Sequence, residues 1–180
     1  LKYIGEYALV SYTIISYVNT IVVMSMAGIA QGTQPLISYY YGKNESEKYK
    51  KLLKYGMVAA AAGSVVAVLI CYVGAESIVG LFLKESEASL SIYSVRVLRI
   101  FILSFLLAGL NVVLGGYFTS VEKAGFATMI SLTRSLIALV ISLVFLTAVF
   151  GGEAIWWAPL IAESCCLVLS AGLYQWYRKK

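Results

Sequence analysis

Five long apolar segments constrain the fold of this chain more than any other feature. They run approximately over Tyr7–Tyr41, Tyr55–Leu83, Ile92–Phe118, Ala124–Phe150 and Ile155–Trp176. A hydrocarbon layer takes about 20 helical residues to cross, so each segment is long enough to span a bilayer. Hydrophobic residues make up 61% of the chain and charged residues only 13%, against roughly 25% charged residues in a soluble domain. The sequence therefore predicts an all-α integral membrane protein, a bundle of five transmembrane helices.

Lysine and arginine collect on one side of the predicted bundle. The connections at 42–54 and 119–123 and the tail at 177–180 hold nine of them: Lys43, Lys48, Lys50, Lys51, Lys54, Lys123, Arg178, Lys179 and Lys180. The opposite side holds only Lys2 and Lys84. By the positive-inside rule the first side is cytoplasmic, which places the C-terminus of this cell-membrane protein in the cytoplasm. The net charge of +5 is thus a signal of topology and of contact with the lipid bilayer, and nucleic acid is not an expected partner.

Few residues of the sequence suit catalysis or metal binding. The chain has no histidine and no aspartate, and its three cysteines, Cys71, Cys165 and Cys166, all lie in apolar segments. Adjacent cysteines on a helix point roughly 100° apart, so Cys165 and Cys166 cannot chelate one ion together. An intramembrane protease would need a histidine, a pair of aspartates or a zinc cluster. We therefore expect no enzyme, no catalytic residue, no metal site and no cofactor.

Glu163 is the acidic residue that stands out, because it lies near the middle of the last apolar segment. A carboxylate at that depth is costly, so it is a functional-site hypothesis by default. Arg134 and Arg99, on two other segments, are the candidate partners for an ion pair. Two interpretations stay open: a purely structural salt bridge, or a carboxylate that handles substrate or protons.

The first segment is too long for a simple crossing. Its 35 residues would extend about 52 Å as a helix, against a hydrocarbon core of about 30 Å. It must tilt, bend or project from the membrane. Pro35 removes one backbone donor and Gly32 lies one turn before it, so we expect the bend there. Gly28 and Gly32 form a G-x-x-x-G pattern that permits the close approach of another helix.

Polar residues follow one stripe of the same segment. Gln31, Gln34 and Ser38 fall at positions i, i+3 and i+7, which lie on one face of a helix. Such a stripe either seals a contact between helices by hydrogen bonds or lines a polar cavity. At the ends of the last segment, Trp156 and Trp157 are about 30 Å from Trp176 along a helix, so we expect these tryptophans to mark the two membrane interfaces.

Four motifs in order carry a resemblance to a known family. The first is G-x-x-Q-G-x-Q-P-L-I-x-Y-x-Y-G over Gly28–Gly42, followed by a turn with lysine and asparagine. The others are G-L-N-x-V-x-x-x-Y-F over Gly109–Phe118, S-L-x-R over Ser131–Arg134 and P-L-I-A-E over Pro159–Glu163. Together they resemble the second lobe of the multidrug and toxic compound extrusion (MATE) family.

The resemblance implies a fold and a function. Members of that family have twelve helices in two six-helix lobes, and this chain is similar to helices eight to twelve, the C-terminal lobe without its first helix. The chain is then a piece of a longer protein whose N-terminal lobe is missing here. The implied activity is secondary antiport, the export of small amphipathic organic cations in exchange for sodium ions or protons. A flippase for lipid-linked oligosaccharides of the same superfamily is the alternative, with Arg96, Arg99 and Arg134 facing its cavity.

The chain also departs from the family pattern. Some members carry an acidic residue on the helix that corresponds to Ile92–Phe118, about one turn before the G-x-N position, and here Gly109 and Asn111 occupy that region. Asn111 can coordinate a cation through its carbonyl oxygen but cannot carry a proton. The sequence does not identify the coupling ion. The site for this ion lies either in the missing lobe or at Glu163, the one candidate carboxylate within these apolar segments.

Overall fold

The computed structural model describes residues 5–84 and 87–179, so Lys2 and Lys180 of the predicted charge asymmetry lie outside the described residues. Within these described residues, five helices are long and apolar enough to cross a membrane, which confirms the predicted all-α bundle. In chain order the helices are α1 Gly5–Gly42, α2 Ser46–Val73, the short α3 Ala75–Gly80, α4 Ala88–Ser120, α5 Ala124–Phe150 and α6 Ala158–Lys179. A 3₁₀ segment, Gly152–Trp157, leads into α6.

The connection between α1 and α2 is shorter than the sequence predicts. The loop expected over 43–54 is only three residues long, because α2 already begins at Ser46. Asn44 takes a left-handed conformation with φ 58°, which asparagine adopts more readily than most residues and which reverses the chain. Most lysines of this region therefore lie on the first turns of α2. At its other end α2 stops at Val73, and the rest of the predicted second segment forms α3 and the turn after it.

Helix α4 is central, since α1, α2, α5 and α6 all pack against it. Two of its glycines make this possible: a Cβ added to Gly109 would lie 2.5 Å from the hydroxyl oxygen of Ser64 on α2, and one added to Gly116 would lie 3.1 Å from a side chain of α1. The close approach expected at Gly28 and Gly32 is not found within the described part of the chain, where both face open space. Among the described residues, the tight glycine contacts between helices are made by Gly109 and Gly116 of α4 and by Gly56 of α2.

Helix α1 continues unbroken through Pro35. Its 38 residues correspond to about 57 Å, well beyond a hydrocarbon core of about 30 Å, so α1 must tilt or project from the bilayer. The predicted bend at Gly32 and Pro35 does not interrupt the helix. Near its end, the Ser38 hydroxyl donates to the backbone carbonyl oxygen of Ser120 at 3.2 Å, which ties α1 to the end of α4.

Two apolar clusters lie at the two ends of the bundle. The end that carries the lysine-rich connection, hereafter the Lys-rich end, is packed around Ile37, Leu53, Tyr117 and Phe118. The opposite end, the Lys-poor end, is packed around a second set of residues from α1, α3 and α4: Ile15, Val79, Val97, Leu98, Ile102 and Phe105. These clusters hold α1, α2 and α4 together, and Ile130 of α5 and Cys166 of α6 take part in the cluster at the Lys-rich end.

Candidate functional site

Glu163 is the centre of a network of three buried or half-buried side chains. Nε of Arg134 donates to Oε1 of Glu163 at 2.7 Å, and Nδ2 of Asn111 donates to Oε2 at 2.7 Å. The same amide nitrogen also donates to the backbone carbonyl oxygen of Glu163 at 2.9 Å. Each carboxylate oxygen therefore has a donor, which offsets much of the cost of placing a charge inside the bundle. The network joins α4, α5 and α6.

Asn111 is held from both sides. It is only 1% exposed, and its carbonyl oxygen accepts a hydrogen bond of 3.4 Å from Ser170 on α6. Ser170 also donates to the backbone carbonyl oxygen of Cys166 at 2.8 Å. The amide thus presents its nitrogen to Glu163 and turns its carbonyl oxygen away. In this arrangement Asn111 stabilises the carboxylate, while the cation-coordinating orientation expected from the sequence would require the amide to turn over.

Of the two arginines proposed as partners of Glu163, Arg134 forms the ion pair. Arg99 is wrong as a partner: its Nη2 lies 3.1 Å from Oε1 of Glu76 on α3, and its guanidinium covers the ring of Tyr72 at 5.2 Å. Arg134 lies in a π-helical stretch of α5, Thr133–Ile137. Such insertions occur frequently at functional sites, because the extra residue in the turn redirects side chains.

A chamber of about 480 Å³ opens beside this network toward the Lys-poor end. Four aromatic side chains line it, and we call it the aromatic chamber: Tyr12, Phe101, Phe105 and Trp156. Arg134 and Glu163 form the polar part of its wall, together with smaller polar groups of α1 and α5. Aromatic faces and one carboxylate are the groups that bind organic cations in proteins. The chamber therefore has the lining that an amphipathic cation needs.

A second chamber of about 290 Å³ lies on the other side of Arg134, toward the Lys-rich end. Its wall carries Gln31, Gln34 and Asn111, and we call it the amide chamber. The polar stripe predicted on α1 is thus divided: the two glutamines line a cavity, whereas Ser38 seals a helix contact. Both chambers lie between α1 and α5, over α4. Arg134 borders both of them, so the ion pair separates one from the other.

Trp156 has a different place from the one expected. It is 3% exposed and lines the aromatic chamber, whereas an interfacial anchor would face lipid. Its indole Nε1 donates to the hydroxyl of Tyr93 at 3.1 Å, and that hydroxyl donates to Oε1 of Glu153 at 3.0 Å. These bonds tie the 3₁₀ segment before α6 to α4. The sequence signal for a place in the chamber wall was the position of Trp156 one turn before the P-L-I-A-E motif. A tryptophan at this position could equally have been an interfacial anchor, so the sequence alone did not distinguish the two roles.

The part of the chain that the structure describes forms five membrane-length helices around a charged, partly aromatic cleft, an arrangement that defines a multi-pass membrane protein of the transporter class. The flippase alternative expected three arginines toward the cavity. Arg96 and Arg99 instead line a groove beside α3, and Arg134 alone borders the chambers, where a carboxylate neutralises it. Within the described residues, the lining of the cleft therefore does not support the flippase alternative over the main interpretation.

Comparison with known proteins agrees with this class. The MatE family model matches residues 1–144, and the chain belongs to this family, a family of transporters and not of enzymes. "Multidrug export protein MepA" of Staphylococcus haemolyticus (strain JCSC1435) is 26% identical over 166 residues, which are 92% of this chain and 36% of that protein. The protein of the same name from Staphylococcus aureus (strain MRSA252) is 24% identical over 166 residues, again 92% of this chain and 36% of that protein. The chain thus spans about 36% of the length of these curated relatives.

Solved structures show the same fold. The crystal structure of "MATE in complex with MaL6" superposes with a TM-score of 0.85 over 97% of this chain and 39% of that chain, at 17% sequence identity. An inward-facing "multidrug resistance MATE family transporter of the MOP superfamily" superposes with a TM-score of 0.81 over 94% of this chain and 38% of that chain, at 16% identity. The five-helix bundle is therefore a recognisable part of the MATE fold.

Proposed function

We propose that the intact protein is a secondary antiporter of the cell membrane that exports amphipathic organic cations in exchange for sodium ions or protons. The observation that carries this proposal is the carboxylate of Glu163 on the wall of the aromatic chamber. Aromatic faces attract a cation and apolar walls accept its organic part, while the carboxylate supplies the opposite charge. Membership in the MatE family and the relatives named for multidrug export support the same activity.

The chain is proposed to be the C-terminal lobe, helices eight to twelve of twelve, with the Lys-rich end and the C-terminus in the cytoplasm. Its share of about 36% of the relatives' length supports a second lobe in the same polypeptide. The open surface around Gly28 and Gly32 is suited to a helix of that lobe, because a G-x-x-x-G pattern lets two helices approach closely. Rocking of the two lobes would then expose the cleft to each side of the membrane in turn.

The coupling ion is the part of this proposal that transport data must identify. Both oxygens of Glu163 already accept hydrogen bonds from protein donors. A sodium ion that binds at Glu163 therefore shares the carboxylate with these donors or displaces one of them, and a proton neutralises one partner of an ion pair. The site for the ion is either Glu163 or a carboxylate of the N-terminal lobe. A gradient of each ion, imposed separately, distinguishes sodium coupling from proton coupling.

The test is transport by the full-length protein in proteoliposomes. We expect an inward gradient of sodium ions or of protons to drive ethidium out of the proteoliposomes, in the direction opposite to the ion. Dissipation of that gradient with an ionophore should stop the movement of ethidium. A matched sample of Glu163→Gln protein shows whether the carboxylate of this lobe takes part. Ethidium movement that is insensitive to both gradients, or no movement by protein that is monodisperse and correctly inserted, would overturn the proposed function.

A further inference from the structure

We propose that Arg134 is a tethered competitor of the transported cation: Glu163 exchanges its arginine for the organic cation, and Arg134 moves into the amide chamber while the cation is bound. This inference rests on the proposed function and adds how the site is regulated and what it selects. It makes Arg134 a specificity-determining residue. Only a ligand with a positive charge can replace it at the carboxylate.

The first argument is that the charge of Glu163 is already balanced. Arg134 donates to Oε1 and Asn111 to Oε2, at 2.7 Å each. Each oxygen keeps a second lone pair, but an organic cation in the aromatic chamber gains a full ion pair with the carboxylate only if the positive charge of Arg134 leaves. A ligand that leaves both donors in place meets a carboxylate whose charge is already compensated, so it gains little electrostatic attraction.

The second argument identifies which donor can leave. Asn111 is 1% exposed and is held by three contacts, two to Glu163 and one to Ser170. Arg134 holds Glu163 through Nε alone. Its side chain is 25% exposed, against 12% for the side chain of Glu163. The Arg134 contact is an ion pair, but Arg134 is the more exposed side chain and has fewer restraints than the buried Asn111, so Arg134 is the partner with room to exchange.

The third argument is that Arg134 has somewhere to go. It already borders the amide chamber, where Gln31, Gln34 and Ser131 also line the wall. Their amide and hydroxyl oxygens are acceptors for the five N–H donors of a guanidinium. A displaced arginine therefore exchanges one carboxylate for neutral acceptors in a half-open cavity, where water also reaches it. Removal into an apolar wall would cost far more.

The backbone around Arg134 suits such a movement. The π-helical stretch Thr133–Ile137 holds one more residue per turn than an α-helix. Conversion of that stretch to regular α-helix turns the side chains that follow it and shifts the direction of Arg134. Inside the π stretch, the Ser135 hydroxyl donates to the carbonyl oxygen of Ser131 at 2.7 Å, so a local partner already satisfies one of the carbonyl groups affected.

The proposal predicts that removal of the competitor strengthens binding. In the full-length protein, purified in detergent, we expect Arg134→Ala to bind ethidium about tenfold more tightly than wild type, the equivalent of about 1.4 kcal/mol for a close charge pair. Fluorescence anisotropy measures the affinity. The matched control is Arg99→Gln, which breaks an arginine–carboxylate pair of 3.1 Å outside the cleft and should leave ethidium affinity unchanged.

Free guanidinium ion gives a second, independent measurement. We expect low-millimolar guanidinium chloride to raise the melting temperature of Arg134→Ala, because the ion fills the vacated position beside Glu163, and to compete with ethidium for that variant. Urea, its neutral analogue, should do neither. A structural role of Arg134 would also permit rescue of the melting temperature by guanidinium, but it would not produce the gain in ethidium affinity or the competition.

The outcomes separate this inference from the proposed function. Wild-type protein that exchanges ethidium across proteoliposomes, together with an Arg134→Ala variant that is monodisperse and binds no more tightly than wild type, overturns the tethered competitor and leaves the function standing. Guanidinium that stabilises the variant without competing with ethidium overturns it as well. Wild-type protein that neither binds nor exchanges ethidium overturns both.

Discussion

Replacement of Glu163 by glutamine tests the network at its centre. The side chain keeps its size, but a glutamine has one acceptor oxygen where the carboxylate has two. Either Arg134 or Asn111 then faces the donor end of the amide. Loss of one charge-assisted hydrogen bond costs about 1.5–3 kcal/mol. A fully buried stranded arginine would cost about 3–5 kcal/mol, but the Arg134 side chain is 25% exposed, so we expect about 2 kcal/mol for Glu163→Gln.

The double variant separates stability from transport. In Glu163→Gln with Arg134→Gln neither charge remains, so we expect most of the lost stability to return. Thermal unfolding of the monodisperse full-length protein measures stability, and ethidium efflux from cells at matched expression measures function. If Glu163 handles the cation, the double variant folds normally and efflux falls at least tenfold. Normal efflux by the double variant with restored stability would refute a role of Glu163 in handling the cation. The Arg134–Glu163 pair would then be a purely structural salt bridge.

Three further predictions concern packing, topology and the helix that carries Pro35. Gly109→Ala places a Cβ 2.5 Å from a hydroxyl oxygen of α2, whereas the Cβ of the control Gly115→Ala on the same helix meets only a methyl carbon at 3.9 Å. Both variants gain the same helix propensity, so thermal unfolding should show Gly109→Ala less stable than Gly115→Ala by about 1–3 kcal/mol. Equal stability of the two variants would contradict the tight contact at Gly109. A cysteine at Ser46 in a cysteine-free background should react with impermeant thiol reagents only from the cytoplasmic side; labelling from outside would reverse the orientation. Pro35→Ala should leave expression intact and reduce efflux, because alanine supplies the backbone N–H donor that Pro35 lacks and so makes this part of α1 harder to deform; unchanged efflux would exclude Pro35 from the mechanism.

The helices and the depth of Glu163 could be predicted from the sequence because both depend on local chemistry. Apolar length decides whether a segment crosses a bilayer, and one charge in such a segment is visible without any neighbour. The start of α2 at Ser46 was missed since its first turns are rich in lysine and glutamate and extend beyond the apolar stretch. A hydropathy argument detects the part of a helix that lies in lipid and does not detect a polar extension into water.

The partner of Glu163 required the three-dimensional arrangement. Arg99 and Arg134 lie on different helices at depths that either pairing would allow, and charge alone does not choose between them. The G-L-N motif held the missing information. Asn111 contacts Glu163, and Arg99 on the same helix points more than about 100° away from Asn111 at 3.6 residues per turn. A helix cannot present both side chains to one carboxylate, which leaves Arg134.

The two partners of Glu163, Asn111 and Arg134, differ in how tightly packing holds them. Gly109, two residues before Asn111, lets α4 lie against Ser64 so closely that no Cβ fits. That contact fixes the position of Asn111, and through it the carboxylate of Glu163. Arg134 extends from a π-helical stretch into a cleft that is open on both sides. A fixed anion beside a more exposed, tethered cation is the arrangement in which partners can be exchanged without unfolding the bundle, because only the exposed side of the pair has to move.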